Sequence, residues 1–351
     1  MREDNGPLEE TSVSSGITGS NDRVYGRPTT VGVLIVNWNS GPLLIRCLDA
    51  LRRQSFGPTR VLVVDNASRD GSEQAALERD GVELLTMTAN LGFAAANNIG
   101  VAHLGNCEWI ALLNPDAFPE PGWLAALVGG VGAAPLVASV ASRQVLADDP
   151  DTLDGTGDLY TVAGLAWRRH HGQPARNRGL ERGEVFGPCG AAGLYRRDVF
   201  LETGGFDESY FCYFEDVDLA FRLRLKGYRC LYIPEAVVHH VGSALTGFRS
   251  DFAVFHGQRN MVWTFVKDMP GPLLLQYLPH HLLMNLASIG VLAARGQLRT
   301  ALRAKWAALL GVPRMLRARR GIHRERRVTS AQLRSAMIRG LRSLGIGRKE
   351  P

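Results

Sequence analysis

The five cysteines of this 351-residue chain form no pair: Cys47, Cys107, Cys189, Cys212 and Cys230 lie far apart, and no CxxC occurs. That argues against a zinc site or a disulfide framework and suits a reducing compartment. Missing too is the Gly-rich GxGxxG fingerprint, which disfavours a dinucleotide-binding domain. The apolar run "GPLLLQYLPHHLLMNLASIGVLAARG" is interrupted by Gln276, Pro279, His280, His281 and Asn285. Its unbroken part is well short of the roughly 20 residues a spanning helix needs. Residues 1–28 are polar, rich in Ser, Gly and Asn, and have no apolar h-region, so they read as a disordered tail and not a signal peptide. Acidic residues are scarce at the other end. From Arg295 to Pro351 stand 16 Lys/Arg and 2 acidic residues, a balance of +14, while the remainder of the chain carries −8. An acidic body with a basic tail has two surfaces with different partners.

What is present is ordinary for a globular protein, with 45% hydrophobic and 21% charged residues and length for one large domain plus an appendage. "VGVLIV", "RVLVVD", "VELLTM" and "EWIALL" are short buried-strand runs. They alternate with helical patterns, the first from Pro42 to Gln54 with Leu43, Leu44, Cys47, Leu48 and Leu51 at helical spacing. This pace predicts βαβ units and a mostly parallel sheet covered on both faces, with ligands beyond the carboxyl ends of the strands. Polar clusters stand at those ends: Asn37 and Asn39, Asp65 and Asn66, Asn90, then Asn114 and Asp116. Any one alone reads as a turn or N-cap residue. Four in succession point to a shared polar crevice.

Residues 143–184 show little periodicity and read as loops and short strands. "GAAGLYRR" reads as a strand whose small residues admit a neighbouring chain, and "EDVDLAFRLRLKGY" as a helix opening on acidic groups and closed by Gly227. Glu215 and Asp216 have two readings. Carboxylates in a first helical turn are favoured by the macrodipole, and Asp218 fits that role, four residues before Arg222. Yet Phe206, Tyr210, Phe211, Tyr213 and Phe214 crowd the approach, and a carboxylate beside apolar rings holds its proton more tightly, as a general base near neutral pH requires. His239 and His240 are either loop histidines or, paired with Asp116, ligands for Mg²⁺ or Mn²⁺ whose octahedron phosphate oxygens and water complete.

"VLIVNWNS", "VVDNASRDGS", "NLGFAAANNIG", "LLNPDA", "GGFDESYFCYFEDVDLAFRLRLKGY" and "VVHHVGS" together resemble glycosyltransferase family 2, and most nearly its rhamnosyltransferase-like branch. The resemblance implies a GT-A fold and an inverting, metal-dependent transfer of a sugar from a nucleotide donor. Carried over by position, it implies that Asp65 binds the donor base beside Asn37 and Asn39. Asn90, Asn97 and Asn114 lie by the donor, Asp116 and His240 hold the metal, and Asp216 is the catalytic base. Glu215, Tyr213 and Gly190 face the acceptor. His240 is preferred to His239 on its spacing from Pro234 and Ser243. The family's DxD stands here as Asn114-Pro115-Asp116, one charged ligand fewer. The branch suggests L-rhamnose from dTDP-rhamnose; other donors such as UDP-galactofuranose or UDP-glucose, or a silent saccharide-binding relative, are the alternatives.

Beyond the family segment, Leu298, Leu302, Trp306 and Leu309 share one helical stripe and Arg295, Arg299 and Arg303 another, with Leu333, Met337, Leu341 and Leu344 repeating the pattern. A basic amphipathic helix with a Trp suits an anionic membrane surface; packing on the acidic body is the other option. No nucleic-acid reading motif accompanies the charge. The expected organisation is a tail (1–28), a GT-A domain (29–265) and a basic helical extension (266–351). The protein is expected at the cytoplasmic face of the cell membrane, acting on a polyprenyl-diphosphate-linked saccharide or glycan.

Overall fold

The computed structural model describes residues 29–132, 134–242, 247 and 250–339. Four runs become parallel strands as their β-branched composition predicts: β1 (Val31–Asn37), β2 (Arg60–Asp65), β3 (Val82–Thr86) and β4 (Trp109–Leu113). Between them lie α1 (Pro42–Leu51), the short α2 (Gln74–Leu77) and α3 (Gly92–His103). The chain then forms β5 (Ala117–Pro119), α4 (Trp123–Val131), β6 (Val137–Leu146), β7 (Leu153–Gly155), β8 (Asp158–Tyr160), β9 (Ala166–Arg168), β10 (Gly183–Val185) and β11 (Ala192–Arg196). Next come α5 (Arg197–Glu202), α6 (Glu215–Leu225) and β12 (Arg229–His240).

The main sheet has the order β10-β12-β6-β11-β4-β1-β2-β3, with β5 added to β12 and β7 to β6. β11 is the small-residue strand, inserted antiparallel between β4 and β6. Period-2 alternation divides the core. Val31, Val33 and Ile35 face α1 and α4 through Leu44, Leu48, Trp123 and Leu124. Leu34, Leu62, Val64, Ile110 and Leu112 face α3, α5 and α6 through Ala94, Phe200, Leu219 and Leu223.

Four helices follow: α7 (Asp251–Asp268), α8 (Gly271–Ala294), α9 (Leu298–Arg324) and α10 (Ser330–Ser335). A division at residue 265 falls inside α7, which packs on both α6 and α9. No described helix is long and apolar enough to cross a membrane. α9 packs on the protein, but through small residues, Ala301, Ala304 and Ala308, with Met315. Its large apolar stripe points outward, Leu302 being 51% exposed, Trp306 65% and Leu309 61%. The repeat expected at Leu333 and Met337 is different: both are buried against Tyr160, Phe221 and Phe265, because α10 closes a core and presents no free face. Leu341 and Leu344 lie outside the described residues, as do Ser243 and the tail 1–28.

Candidate active site

Asp116 reaches the sheet's carboxyl edge because β4 ends at Leu113 and the chain turns through Asn114 and Pro115 into β5. β5 then pairs antiparallel with the end of β12, setting His240 opposite Ala117 and His239 opposite Phe118. Strand alternation decides between the two histidines. His239 points outward to Glu120, its Nε2 3.1 Å from Oε1. His240 points inward, buried, with Nε2 3.3 Å from Asp116 Oδ1 and Nδ1 2.8 Å from Asp154 Oδ2. Burial by itself lowers the proton affinity of this imidazole, but Asp116 and Asp154 carry it above the ordinary histidine value. Asp154 is also buried, a condition that raises a carboxyl; His171, His240 and Arg168 outweigh it and hold the group well below the usual carboxylate range.

Across the same cavity, of about 560 Å³, stands the first turn of α6. Glu215 is buried, and burial together with Asp216 pushes its carboxyl well above the ordinary range. Asp216 is pushed up by burial too, opposed by two N–H groups. Gly190 N donates to its Oδ2 and Val217 N to its Oδ1, each at 2.8 Å. Gly190 therefore fixes the carboxylate from its backbone. Asp218 takes the structural part foreseen for it: it pairs with Arg222 at 2.7 Å and also with buried Lys267.

The approach to α6 is strained. Phe211, Tyr213 and Phe214 have φ of 64°, 69° and 70°, a left-handed conformation that costs bulky residues of order 1–3 kcal/mol each. What holds them is Asn260 of α7, fully buried, whose Nδ2 donates to the carbonyls of Tyr210, Cys212 and Tyr213 at 3.1, 3.0 and 2.7 Å. Gly92 lets the loop come close: at φ 83°, a Cβ there would stand 2.6 Å from the Phe211 carbonyl oxygen.

Asn90, Asn114, Asp116, Gly190, Tyr213, Glu215, Asp216 and His240 thus line one cavity, as their grouping in sequence order anticipates. Asn37, Asn39, Asp65 and Asn97 lie outside the lining of this cavity, at the neighbouring strand ends and in α3. Asn37 is fully buried and donates to Asp65 Oδ1 and Ser72 Oγ, both at 2.8 Å, and to Ser68 Oγ at 3.1 Å. Asp65 receives Ser68 N on its other oxygen, and Asn39 accepts Arg69 N at 2.7 Å. Asn97 donates back to the Phe93 carbonyl at 2.8 Å within α3. These side chains brace the loop 66–72 and the helix. Asn66, one of the strand-end polar residues, faces the cavity, and so do residues not singled out as site groups: Trp38, Phe93, Arg168, Cys189 and Phe252. Trp38, at a strand end between two asparagines, carried a signal in being a large aromatic in a turn. Arg168 and Asp154 lie in the aperiodic stretch and carried none.

Among the described residues no three His, Cys, Asp or Glu side chains converge as a metal cluster. The pair Asp116 and His240 nevertheless fits a divalent cation in chemistry: a carboxylate and an imidazole face each other, and the far nitrogen of the ring is held by a carboxylate, the arrangement that fixes a ligating tautomer.

A sheet of this order, with a carboxylate–imidazole pair and a helix-start carboxylate on one cavity, has the architecture of the GT-A fold. The pattern of glycosyl transferase family 2 matches residues 32–204, and the chain belongs to that family. It is 35% identical over 242 residues to the N-acetylglucosaminyl-diphospho-decaprenol L-rhamnosyltransferase of Mycobacterium tuberculosis, an alignment spanning 61% of this chain and 77% of that protein. With the O-antigen chain rhamnosyltransferase RfbN of Salmonella typhimurium it shares 25% over 211 residues, 60% of this chain and 66% of the relative. Among solved structures, GalNAc-T7 with UDP, GalNAc and Mn²⁺ superposes with a TM-score of 0.54 at 16% identity, covering 68% of this chain and 48% of that one. The mannosyltransferase PcManGT from Pyrobaculum calidifontis, with GDP-Man and Mn²⁺, gives 0.50 at 21% identity over 87% and 85% of the two chains.

Proposed function

We propose that this glycosyltransferase moves L-rhamnose from dTDP-rhamnose to a hydroxyl of a polyprenyl-diphosphate-linked saccharide, with inversion, in cell-wall or surface-polysaccharide synthesis. The observation that carries the reading is the meeting of Asp116, His240 and Asp216 on one cavity. The named activity of the mycobacterial relative supports the sugar and the lipid carrier.

In this reading Asp216 accepts the proton of the acceptor hydroxyl as its oxygen attacks the anomeric carbon from the face opposite the leaving diphosphate. Its elevated proton affinity suits that task, and the Gly190 and Val217 N–H groups fix both of its oxygens. One displacement and one carboxylate base suffice, whereas a retaining glycosidase needs a second carboxylate as nucleophile. Asp116 and His240 would hold Mg²⁺ or Mn²⁺, which when bound supplies positive charge against the diphosphate. Phe211, Tyr213, Phe214 and Phe252 wall the cavity with aromatic rings.

The outward stripe of α9 gives the acceptor its setting. Leu302, Trp306 and Leu309, with exposed Arg299 and Arg303 beside them, suit an anionic lipid surface. A panel of dTDP-rhamnose, UDP-glucose, UDP-galactofuranose and GDP-mannose, each offered with Mn²⁺ and a polyprenyl-diphosphate acceptor, tests the donor. Transfer from dTDP-rhamnose with the β-to-α or α-to-β change at the anomeric carbon is expected; preference for another donor overturns the assignment of the sugar.

A further inference from the structure

Arg168, the last residue of β9, is the only Lys or Arg among the described residues that line the catalytic cavity. Its Nη1 donates to both oxygens of Asp154, at 2.7 and 2.6 Å. Among the described residues its Nε and Nη2 make no hydrogen bond, and the side chain is 34% exposed, so its two remaining donor nitrogens are available to a ligand. The buried Asp154 carboxylate that aims this guanidinium also holds Nδ1 of His240. One anchor therefore sets two cationic or metal-facing groups on the same wall. The fork of an arginine matches phosphate oxygens, and apart from His240 the other ionisable groups lining this cavity that a diphosphate would meet include the carboxyl groups of Asp116, Glu215 and Asp216.

We propose that Arg168 binds a substrate diphosphate and that Asp154 is its positioning residue. The inference rests on the reading above that the cavity takes diphosphate-bearing substrates. Because Asn114-Pro115-Asp116 offers one carboxylate, the fixed guanidinium carries part of the charge that the diphosphate needs, and that part survives removal of the metal. The diphosphate has two sources, the nucleotide donor and the lipid-linked acceptor.

Equilibrium binding of dTDP, thymidine and farnesyl diphosphate to the full chain, in Mn²⁺ and in EDTA, separates these elements. Wild type is expected to keep measurable diphosphate binding in EDTA. Arg168→Met should weaken it at least tenfold in both conditions without moving thymidine, Arg168→Lys should restore part, and Asp116→Ala should weaken binding only in Mn²⁺. Loss confined to dTDP places the guanidinium at the donor, and loss confined to farnesyl diphosphate places it at the acceptor; either supports the proposal. Asp154→Asn should weaken EDTA binding in the wild-type background and add nothing to Arg168→Met. An equal further loss in that background overturns the positioning role. If Arg168→Met binds both diphosphates as wild type does while Asp116→Ala shows its Mn²⁺-dependent defect, the inference alone fails. If neither diphosphate binds wild type, the proposed function fails and the inference with it.

Discussion

At the carboxyl ends of β1 and β2, Asn37 and Asp65 close on each other and on Ser68 and Ser72, so that both are bonded inside the protein. At the ends of β4 and β12, Asp116 and His240 face the cavity, and across it Asp216 does the same from the start of α6. The residue types are alike and the strand ends are equivalent in the sheet. What differs is the second layer. The first edge is followed by a Ser-rich loop that folds back and satisfies the buried polar atoms. The second is backed by β7, the segment before β11 and α7, which aim side chains into the cavity by holding them from behind: Asp154 grips His240, Gly190 grips Asp216, and Asn260 grips the loop before it. A polar strand end thus becomes a scaffold or a site according to whether its neighbours use up its polar atoms.

The harshest way to break this contrast is Asp216→Asn. The amide keeps the size of the side chain but cannot take the acceptor's proton, so transfer should fall about a thousandfold, the scale of a lost general base. Melting should shift little, because relief of the buried charge offsets the loss of whichever bond, from Gly190 N or Val217 N, the amide nitrogen cannot accept. The folded-state pKa of Asp216 is raised by burial, so its contribution to stability is fully present below the unfolded aspartate value and is lost as pH rises through the folded value. The charged form is the disfavoured one, and the neutral amide removes that penalty at neutral pH. For the same reason the acidic limb of kcat in wild type should lie above the usual aspartate range, with activity rising as pH climbs through it. A limb at or below the ordinary value contradicts the desolvated setting.

Asn260→Ala tests whether the cavity wall is held from behind. Three carbonyls lose their shared donor, and the positive-φ residues lose the contact that keeps them there. The expected cost is about 2–3 kcal/mol of stability, the scale of buried groups left unsatisfied. A fall in kcat of roughly tenfold to a hundredfold should accompany it, since misplacing a base by an ångström costs that much. Urea unfolding and steady-state kinetics read the two effects separately.

Asn37→Ala probes the other edge. Its amide donates to a buried carboxylate, and such bonds are worth about 1.5–3 kcal/mol. Stability should fall by about 2 kcal/mol while kcat and the donor KM of the folded fraction stay within twofold. A tenfold rise in donor KM with unchanged melting would move Asn37 from scaffold to site and dissolve the contrast.

These two edges also mark what the sequence made legible. The parallel strands were readable because fully buried strands are continuous β-branched runs, and helix α6 because its acidic start and Gly227 bound it. The proposed site's main members, Asp116, Asp216 and His240, were readable in chain order, while the choice of His240 over His239 rested on spacing and its inward direction came only from strand alternation in the fold. Asp154, Arg168 and Asn260 were not readable: residue 154 meets 240 and residue 260 meets 213, each far along the chain, and Arg168 takes its place from Asp154 within an aperiodic stretch. Nor could spacing reveal that Asn37 and Asp65 were already satisfied, because satisfaction is a property of the folded loop. The outward stripe of α9 was legible as a stripe, yet its direction depended on Ala301, Ala304 and Ala308 supplying the packing face.

The smallest effect belongs to Asn39, and it discriminates best. Its backbone sits at φ 50°, where glycine rests without strain and most residues do not. Its side chain accepts Arg69 N at 2.7 Å in an exposed turn, and its backbone N–H donates to Ser68 Oγ at 3.0 Å. Asn39→Gly removes the first bond and keeps the second, and it trades about 0.5–1.5 kcal/mol of hydrogen bonding against relief of the left-handed backbone. The two terms nearly cancel, so melting should move by no more than about 0.5 kcal/mol equivalent, and donor KM should not change. If Asn39 instead touches the nucleotide, donor KM must rise while stability stays put, because the lost contact would then be to ligand and not to Arg69. Measuring both quantities on this one variant therefore separates a turn-forming asparagine from a donor-binding one at the strand end where the two readings lie closest.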